Sequence, residues 1–262
     1  MQTTGEVVAK GVVERSFEFE ADGEAVPGIL WRPEAASAPT PLVLLGHGGT
    51  QHKRTPNILG LARRFVRHLG YSAVALDAPG HGDRVVDKEL AEERRRNLEQ
   101  RVMSKSGSAS MERTLDEQGR VRPFVAVGRA VKEWSAALDL LEKEGDIVDE
   151  RIGYWGVSMG TMIGLPFVAA EQRVTAAVLG LAGLTGMPGA EAREAAARRC
   201  SIPVLFIFQW DDQLMSRQSG LDLFDAISSA DKAMHVFPGG HVDTPLYERD
   251  AYDAFFLRHL GR

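Results

Sequence analysis

Leu42-Val43-Leu44-Leu45 is an apolar run with no polar residue in it, and it stops at Gly46. A strand with one face in water would alternate, so such a run fits a strand buried on both faces, the kind found in parallel sheets covered by helices. Similar short strand signals recur at Ser72–Leu76, Arg151–Trp155, Ala176–Leu181, Val204–Phe208 and Ala233–Phe237. Helical segments lie between them. Thr55 as N-cap with Pro56 at the first helical position opens a helix whose Ile58, Leu61, Ala62, Phe65 and Leu69 share one face, and Gly70 stops it. Val127, Val131, Trp134, Leu138 and Leu141 keep helical spacing within 125–141, and further helices are expected from Met159, near Glu191–Arg199, near Leu221–Ile227 and from about Pro245 to Leu260. Before all of these, the stretch from Val12 to Trp31 alternates and turns at Ala21-Asp22-Gly23, with Phe17 and Phe19 opposite Glu18 and Glu20, which predicts a β-hairpin.

Strands alternating with helices of this length imply βαβ crossovers and an α/β fold with a mainly parallel sheet. No internal repeat or low-complexity linker interrupts the pattern, so residues 1–262 read as one domain. One segment breaks the rhythm. Between Arg84 and about Pro123, roughly forty residues stand where a direct connection would do, and loops that long are uncommon unless functional. Its first half, Asp87–Met103, carries near-balanced charge with Val86, Leu90, Leu98 and Val102 at multiples of four, which predicts a helix with a narrow apolar face; its second half, Lys105–Gly119, is expected to be mobile. We expect a cap over a site at about 84–123, the alternative being a solvated helix that only decorates the surface.

Composition removes several other classes. With 44% hydrophobic residues, 26% charged residues and a single cysteine, the chain is neither disordered, collagenous nor a disulfide scaffold. A net charge of −5 repels polyanions, so nucleic acid is not expected as a partner. The first residues show no basic patch followed by an apolar stretch, and the longest apolar runs, such as Ala176–Leu184, fall far short of a membrane span. A cytoplasmic protein without a membrane partner is expected. Cys200, just before Ile202-Pro203 and a buried strand, reads as an inert packed thiol.

The chemistry centres on Gly156-Val157-Ser158-Met159-Gly160, a G-x-S-x-G lying between a strand and a helix. Such a turn projects the serine hydroxyl above the sheet, and the helix N-terminus favours developing negative charge, so Ser158 is a candidate nucleophile. A serine hydroxyl needs a base, and the base a partner that fixes its tautomer. His241, in Pro238-Gly239-Gly240-His241 after the last strand, is the candidate base, whereas His68, His235 and His259 fall in or near helices and strands with no such loop. Gln209-Trp210-Asp211-Asp212 ends another strand and offers two carboxylates, Asp211 and Asp212.

The order Ser, Asp, His, the elbow and the strand–helix rhythm resemble the α/β-hydrolase superfamily over about residues 25–262, closest to its esterase and dienelactone-hydrolase-like branch. Gly46-His47-Gly48-Gly49 is similar to the family's oxyanion loop, and Asp77-Ala78-Pro79-Gly80-His81-Gly82 to its D-x-P-G-H-G turn. The resemblance matches the acid to Asp212, with Asp211 the fallback; Gln209 replaces the family's Gly there and Met215-Ser216 its Val-Pro. It implies an oxyanion hole from the backbone N–H of Met159 and Gly49, with Thr50 a further candidate, and a loop-shaping role for His47. Dienelactone hydrolases proper use a cysteine nucleophile, so their specific reaction does not carry over to Ser158.

The expected activity is serine-dependent hydrolysis of a small-molecule carboxylic ester through an acyl-enzyme, with no cofactor and no metal. Thioester, amide or peptide, and carbon–carbon bond hydrolysis use the same machinery, and a non-catalytic binding module would normally lack one of the three side chains. Trp210 and Leu214 are candidate substrate-binding residues, with Met215, Leu184 and Met187 behind them.

Overall fold

The computed structural model describes residues 1–104, 126–145, 147–186 and 189–261. Its strands are β1 (Gln2–Ala9), β2 (Val12–Ala21), β3 (Glu24–Pro33), β4 (Thr40–Gly46), β5 (Ser72–Leu76), β6 (Ile147–Gly156), β7 (Val174–Gly180), β8 (Val204–Gln209) and β9 (Lys232–Phe237). The helices are α1 (Pro56–Arg64), α2 (Lys88–Met103), α3 (Val127–Glu144), α4 (Met159–Val168), α5 (Ala190–Arg199), α6 (Arg217–Ala226) and α7 (Glu248–Leu260). The strands form one sheet in the order β1-β2-β3-β5-β4-β6-β7-β8-β9. Pairing is antiparallel from β1 to the β3–β5 contact and parallel from β5 onward. This is the mainly parallel α/β sheet that the apolar runs predict.

Period two along each strand divides the core in two. Leu42 and Leu44, Val74 and Leu76, and Phe206 and Phe208 point to one face and pack with Trp134 of α3, Phe167 of α4, Ala196 of α5 and Leu223 of α6. Their neighbours Val43 and Leu45, Ala73 and Ala75, and Leu205 and Ile207 point to the other, against Ile58 and Leu61 of α1 and Phe256 of α7. Each residue of the central strands therefore has a helix to bury against, and the continuous apolar runs follow from that.

Some local details differ from the expectation. β1 carried no strand signal, because all eight of its residues are exposed; it exists by pairing with β2 (Val8 opposite Val13), and its register shifts between Thr3 and Gly5. Thr55 stands at the N-cap of α1 with an extended backbone, but its hydroxyl donates back to the His52 carbonyl (2.9 Å) instead of accepting from the helix. Beyond Arg64 the helix widens into a π-helical turn, Phe65–Leu69, which keeps both Phe65 and Val66 buried before Gly70 closes it at φ 73°. α2 matches the helix expected over Asp87–Met103, capped by the Asp87 carboxylate on the Leu90 N–H (2.9 Å). Leu90, Leu98 and Val102 lie on its half-buried side, whereas Val86 precedes the helix and is 98% exposed. The remainder of the expected cap, 105–123, lies outside the described residues.

The segment leading to α2 is fixed to the sheet by charge. Arg84 makes two bonds of 2.7 Å to Glu133 of α3 and one of 3.1 Å to the Asp77 carbonyl; the Arg84 and Glu133 side chains are only 5% and 3% exposed. Arg129, one turn earlier on α3, holds the same carboxylate (2.9 Å). Removing one member of such a pair strands the other charge in low dielectric, whereas an exposed pair is screened by water. Glu133→Ala is therefore expected to cost about 3–5 kcal/mol in urea denaturation. Glu99→Ala, which breaks the exposed Arg95–Glu99 pair of α2, should leave the urea midpoint essentially unchanged.

Candidate active site

Only Val157 and Ser158 separate β6 from α4, so the chain reverses sharply at the C-terminal edge of the sheet. Ser158 takes φ 59° and ψ −121°, a backbone that costs a non-glycine residue about 1–3 kcal/mol unless its surroundings enforce it. They do. The Ser158 N–H donates to the Gly180 carbonyl (2.9 Å), and its own carbonyl accepts from the N–H groups of Thr161 (2.9 Å) and Met162 (3.1 Å). The buried Thr161 hydroxyl accepts from the Gly180 N–H (2.8 Å) and reaches the Gly156 and Gly180 carbonyls (2.8 and 2.7 Å), tying the turn to β7.

The glycines of the motif permit a close crossing. A Cβ on Gly160 would stand 2.5 Å from the Gly46 carbonyl oxygen at the end of β4, and one on Gly46 would stand 2.0 Å from the Tyr154 hydroxyl. That phenol is wholly buried, donates to the Gly160 carbonyl (2.7 Å), and has its pKa raised by burial.

Ser158 Oγ lies 2.9 Å from His241 Nε2, and His241 Nδ1 lies 2.7 Å from Asp212 Oδ2. The loop after β9 brings the imidazole in, and the loop after β8 the carboxylate; both side chains are nearly buried, at 7% and 6% exposure. Asp212 Oδ1 accepts from the N–H groups of Leu214 (2.8 Å) and Met215 (3.0 Å), so the carboxylate is held at both oxygens. An ionised carboxylate only accepts, so Nδ1 carries the ring proton and Nε2 is left to accept from the serine hydroxyl.

His47 shapes the opposite wall. Its Nε2 accepts from the Ala78 N–H (3.1 Å), so its proton sits on Nδ1 and is donated to the Gly48 carbonyl (2.9 Å). The neutral ring thus ties the loop after β4 to the loop after β5. Burial, with the neighbouring His81 ring 5.4 Å away, pushes its pKa down to about 4. Gln51 donates to the Gly48 carbonyl (3.3 Å) across Gly49 and Thr50, and Thr50 has φ 60°, the pattern of a type II turn. Among the described residues, the N–H groups of Gly49, Thr50 and Met159 have no hydrogen-bond partner. In the D-x-P-G-H-G turn, buried Asp77 accepts from Lys53 Nζ (2.5 Å), the Lys53 N–H (2.9 Å) and the Asp83 N–H (2.9 Å).

Asp211 does not reach His241; it is exposed and pairs with Arg217 (3.4 Å). Trp210 is 44% exposed, its indole covered by the Arg217 guanidinium at 4.0 Å, and Leu214 is half-buried beside Asp212. Leu184 and Met215 are also half-buried, and Met187 lies outside the described residues. The other histidines have other neighbours: His81 bonds the Pro79 carbonyl (3.0 Å), His235 bonds Glu248 (2.7 Å), His52 accepts from the Arg54 N–H (3.2 Å), and His68 and His259 each lie 3.8 Å from an aspartate. Cys200 is buried, its thiol pKa pushed up to about 11 by desolvation. Among the described residues no His, Cys, Asp and Glu cluster suited to a metal ion is found, and no helix is long and apolar enough to cross a membrane.

Two glutamines escaped the sequence reading. Gln209, in place of the family's glycine, donates to the Phe237 carbonyl (3.2 Å) and accepts from the Thr244 N–H (2.8 Å) with its amide in the satisfied orientation. Gln213 accepts from the His241 N–H (2.8 Å). The departure of Gln209 from the family pattern was the available signal; Gln213 had none. Ser216, where the pattern has proline, caps α6 by accepting from the Ser219 N–H (3.2 Å).

No protein-family model matches the chain, and no curated protein does. Solved structures do. A cold-adapted esterase from an Arctic intertidal metagenomic library, in complex with polyethylene glycol, is 34% identical with a TM-score of 0.80, over 99% of this chain and all of the other. The chain belongs to the α/β-hydrolase superfamily. The hydrolase shares its fold, at 16% identity and a TM-score of 0.71, with an acetyl xylan esterase from Paenibacillus sp. R4, over 99% of this chain and 88% of that one. An S-formylglutathione hydrolase from Agrobacterium tumefaciens aligns over the whole of both chains at 18% identity and a TM-score of 0.67.

Three outcomes follow for the hydrolase. Gly160→Ala should lose about 3 kcal/mol, the upper end for overpacking, because the added carbon meets backbone. Gly128→Ala, on α3 where a Cβ meets nothing, should gain about 0.5–1 kcal/mol in the same denaturation series. His47 binds a proton less readily folded than unfolded, so its stabilising contribution is complete above pH 6.5 and is lost as the pH falls towards 4. That loss amounts to about 3 kcal/mol; denaturation midpoints measured across this window should fall less steeply for His47→Asn than for the wild type.

Proposed function

We propose that this protein is a serine carboxylesterase acting on a small-molecule ester. The observation that carries the reading is the continuous chain from Ser158 Oγ through His241 to Asp212, at 2.9 and 2.7 Å, with the serine raised on a strained turn. The esterase at 34% identity supports the same reaction class.

In this reading Ser158 attacks the acyl carbonyl while His241 Nε2 takes its proton, and the imidazolium that forms is stabilised by Asp212. The tetrahedral oxyanion accepts hydrogen bonds from the N–H groups of Met159 and Gly49, with Thr50 beside them, which are free to turn to a ligand. Each such donor is worth about 2.7–4 kcal/mol of barrier because the charge it meets develops only in the transition state. His241 then protonates the departing alcohol, and the acyl-enzyme is released by a water that the same imidazole deprotonates. The Asp212 carboxylate, fixed by two backbone N–H groups, keeps the ring in the tautomer that this cycle needs. Residues 1–262 form one domain in this reading, with 84–123 as its cap, of which 84–104 are described.

The test is hydrolysis of p-nitrophenyl esters from acetate to decanoate. Ser158→Ala and Asp212→Asn should each lower kcat by roughly 10⁴-fold or more with unchanged circular dichroism. A Ser158→Ala protein with wild-type turnover would overturn the assignment. Wild type that cleaves no ester, yet is labelled by a fluorophosphonate, would move the reaction to thioester, amide or carbon–carbon substrates.

A further inference from the structure

The Gln213 amide bridges two parts of the molecule that are remote in sequence. Its Oε1 accepts from the backbone N–H of His241 (2.8 Å), and its Nε2 donates to the carbonyl of Val102 in the last turn of α2. Both ends matter chemically. The last carbonyls of a helix have no partner within it, so Gln213 supplies one for α2, whereas the His241 N–H belongs to the residue whose imidazole faces Ser158. The backbone that carries the side chain is held, because Asp212 Oδ1 accepts from the N–H groups of Leu214 and Met215 just after it. Room for the amide comes from Gly240, where a Cβ would stand 2.6 Å from Gln213 Oε1. α2 itself buries no residue fully, so a bond at its end has leverage on how it sits.

We propose that Gln213 is a positioning residue that couples the seating of α2 to the placement of the His241 imidazole, so that the charged helix beside the site sets the efficiency of proton transfer. The proposal rests on the serine-esterase reading above. An amide fits this role and a carboxylate does not: Oε1 must accept and Nε2 must donate, and an ionised glutamate can only accept.

Gln213→Leu removes both bonds. It is expected to lower kcat for p-nitrophenyl acetate about ten- to a hundredfold with KM within about twofold, to slow fluorophosphonate labelling by the same factor, and to speed amide hydrogen exchange across residues 88–104. Gln213→Glu keeps the acceptor for His241 and loses the donor to Val102; exchange in α2 should rise as for leucine, and kcat should fall about three- to tenfold. Gly240→Ala, whose backbone tolerates alanine, should displace the amide and shift kcat and exchange in the same direction, and it carries the test with Gln213→Glu if the leucine variant does not fold. A leucine variant with wild-type kcat and labelling rate would overturn the positioning role. A glutamate variant with faster exchange and unchanged kcat would reduce Gln213 to a helix cap and overturn the coupling, as would unchanged exchange in every variant. These failures are distinct from failure of the esterase reading, in which the wild type itself would not be labelled or Ser158→Ala would remain active.

Discussion

The backbone of α4 comes down on the end of β4 at a distance that only bare α-carbons allow, with Gly160 over the Gly46 carbonyl and the Tyr154 phenol filling the angle between them. The position of the turn at Ser158 follows from that crossing, because β6 enters beside β4 and must reverse within two residues to start a helix in this place. The loop leaving β4 is set by the same contact. Its His47 then reaches across to Ala78, so the loops after β4 and β5, which flank the serine on one side, both descend from one close approach of two backbones.

Around this rigid centre the forces divide by location. The sheet is held by burial of alternate residues on two faces, a term that grows with area and has no direction. The loops that carry polar groups are held by directional bonds instead: Arg84 to Glu133, Lys53 to Asp77, Gln209 to Thr244. Directional bonds fix distance and angle, and that is what keeping Ser158, His241 and Asp212 in line requires.

The parallel sheet, the hairpin and the turn at Ser158 were legible because each leaves a local pattern: an unbroken apolar run, an alternation ending in Asp22-Gly23, glycines flanking a serine. β1 was not, since a strand that buries nothing leaves no pattern, and neither was the π-helical turn at Phe65–Leu69, which one extra residue on an already apolar face creates. At the candidate site the local signals named the strand ends but could not separate Asp211 from Asp212. A shift of one residue turns a side chain from the loop interior to solvent, and the Asp211–Arg217 pair is where that shift leads. Gln209 and Gln213 are harder still, because an amide acquires meaning only from its two partners, and those lie far off in sequence.

The backbone of Ser158 also restricts what evolution can place there. At φ 59° a side chain branched at Cβ crowds its own main chain, so threonine, chemically the nearest relative of serine, is shut out on conformational grounds. Cysteine has no such branch and fits the same angles. The route from this hydroxyl to a thiol is a single substitution on an unchanged scaffold, while the route to a secondary alcohol would require rebuilding the crossing of α4 and β4.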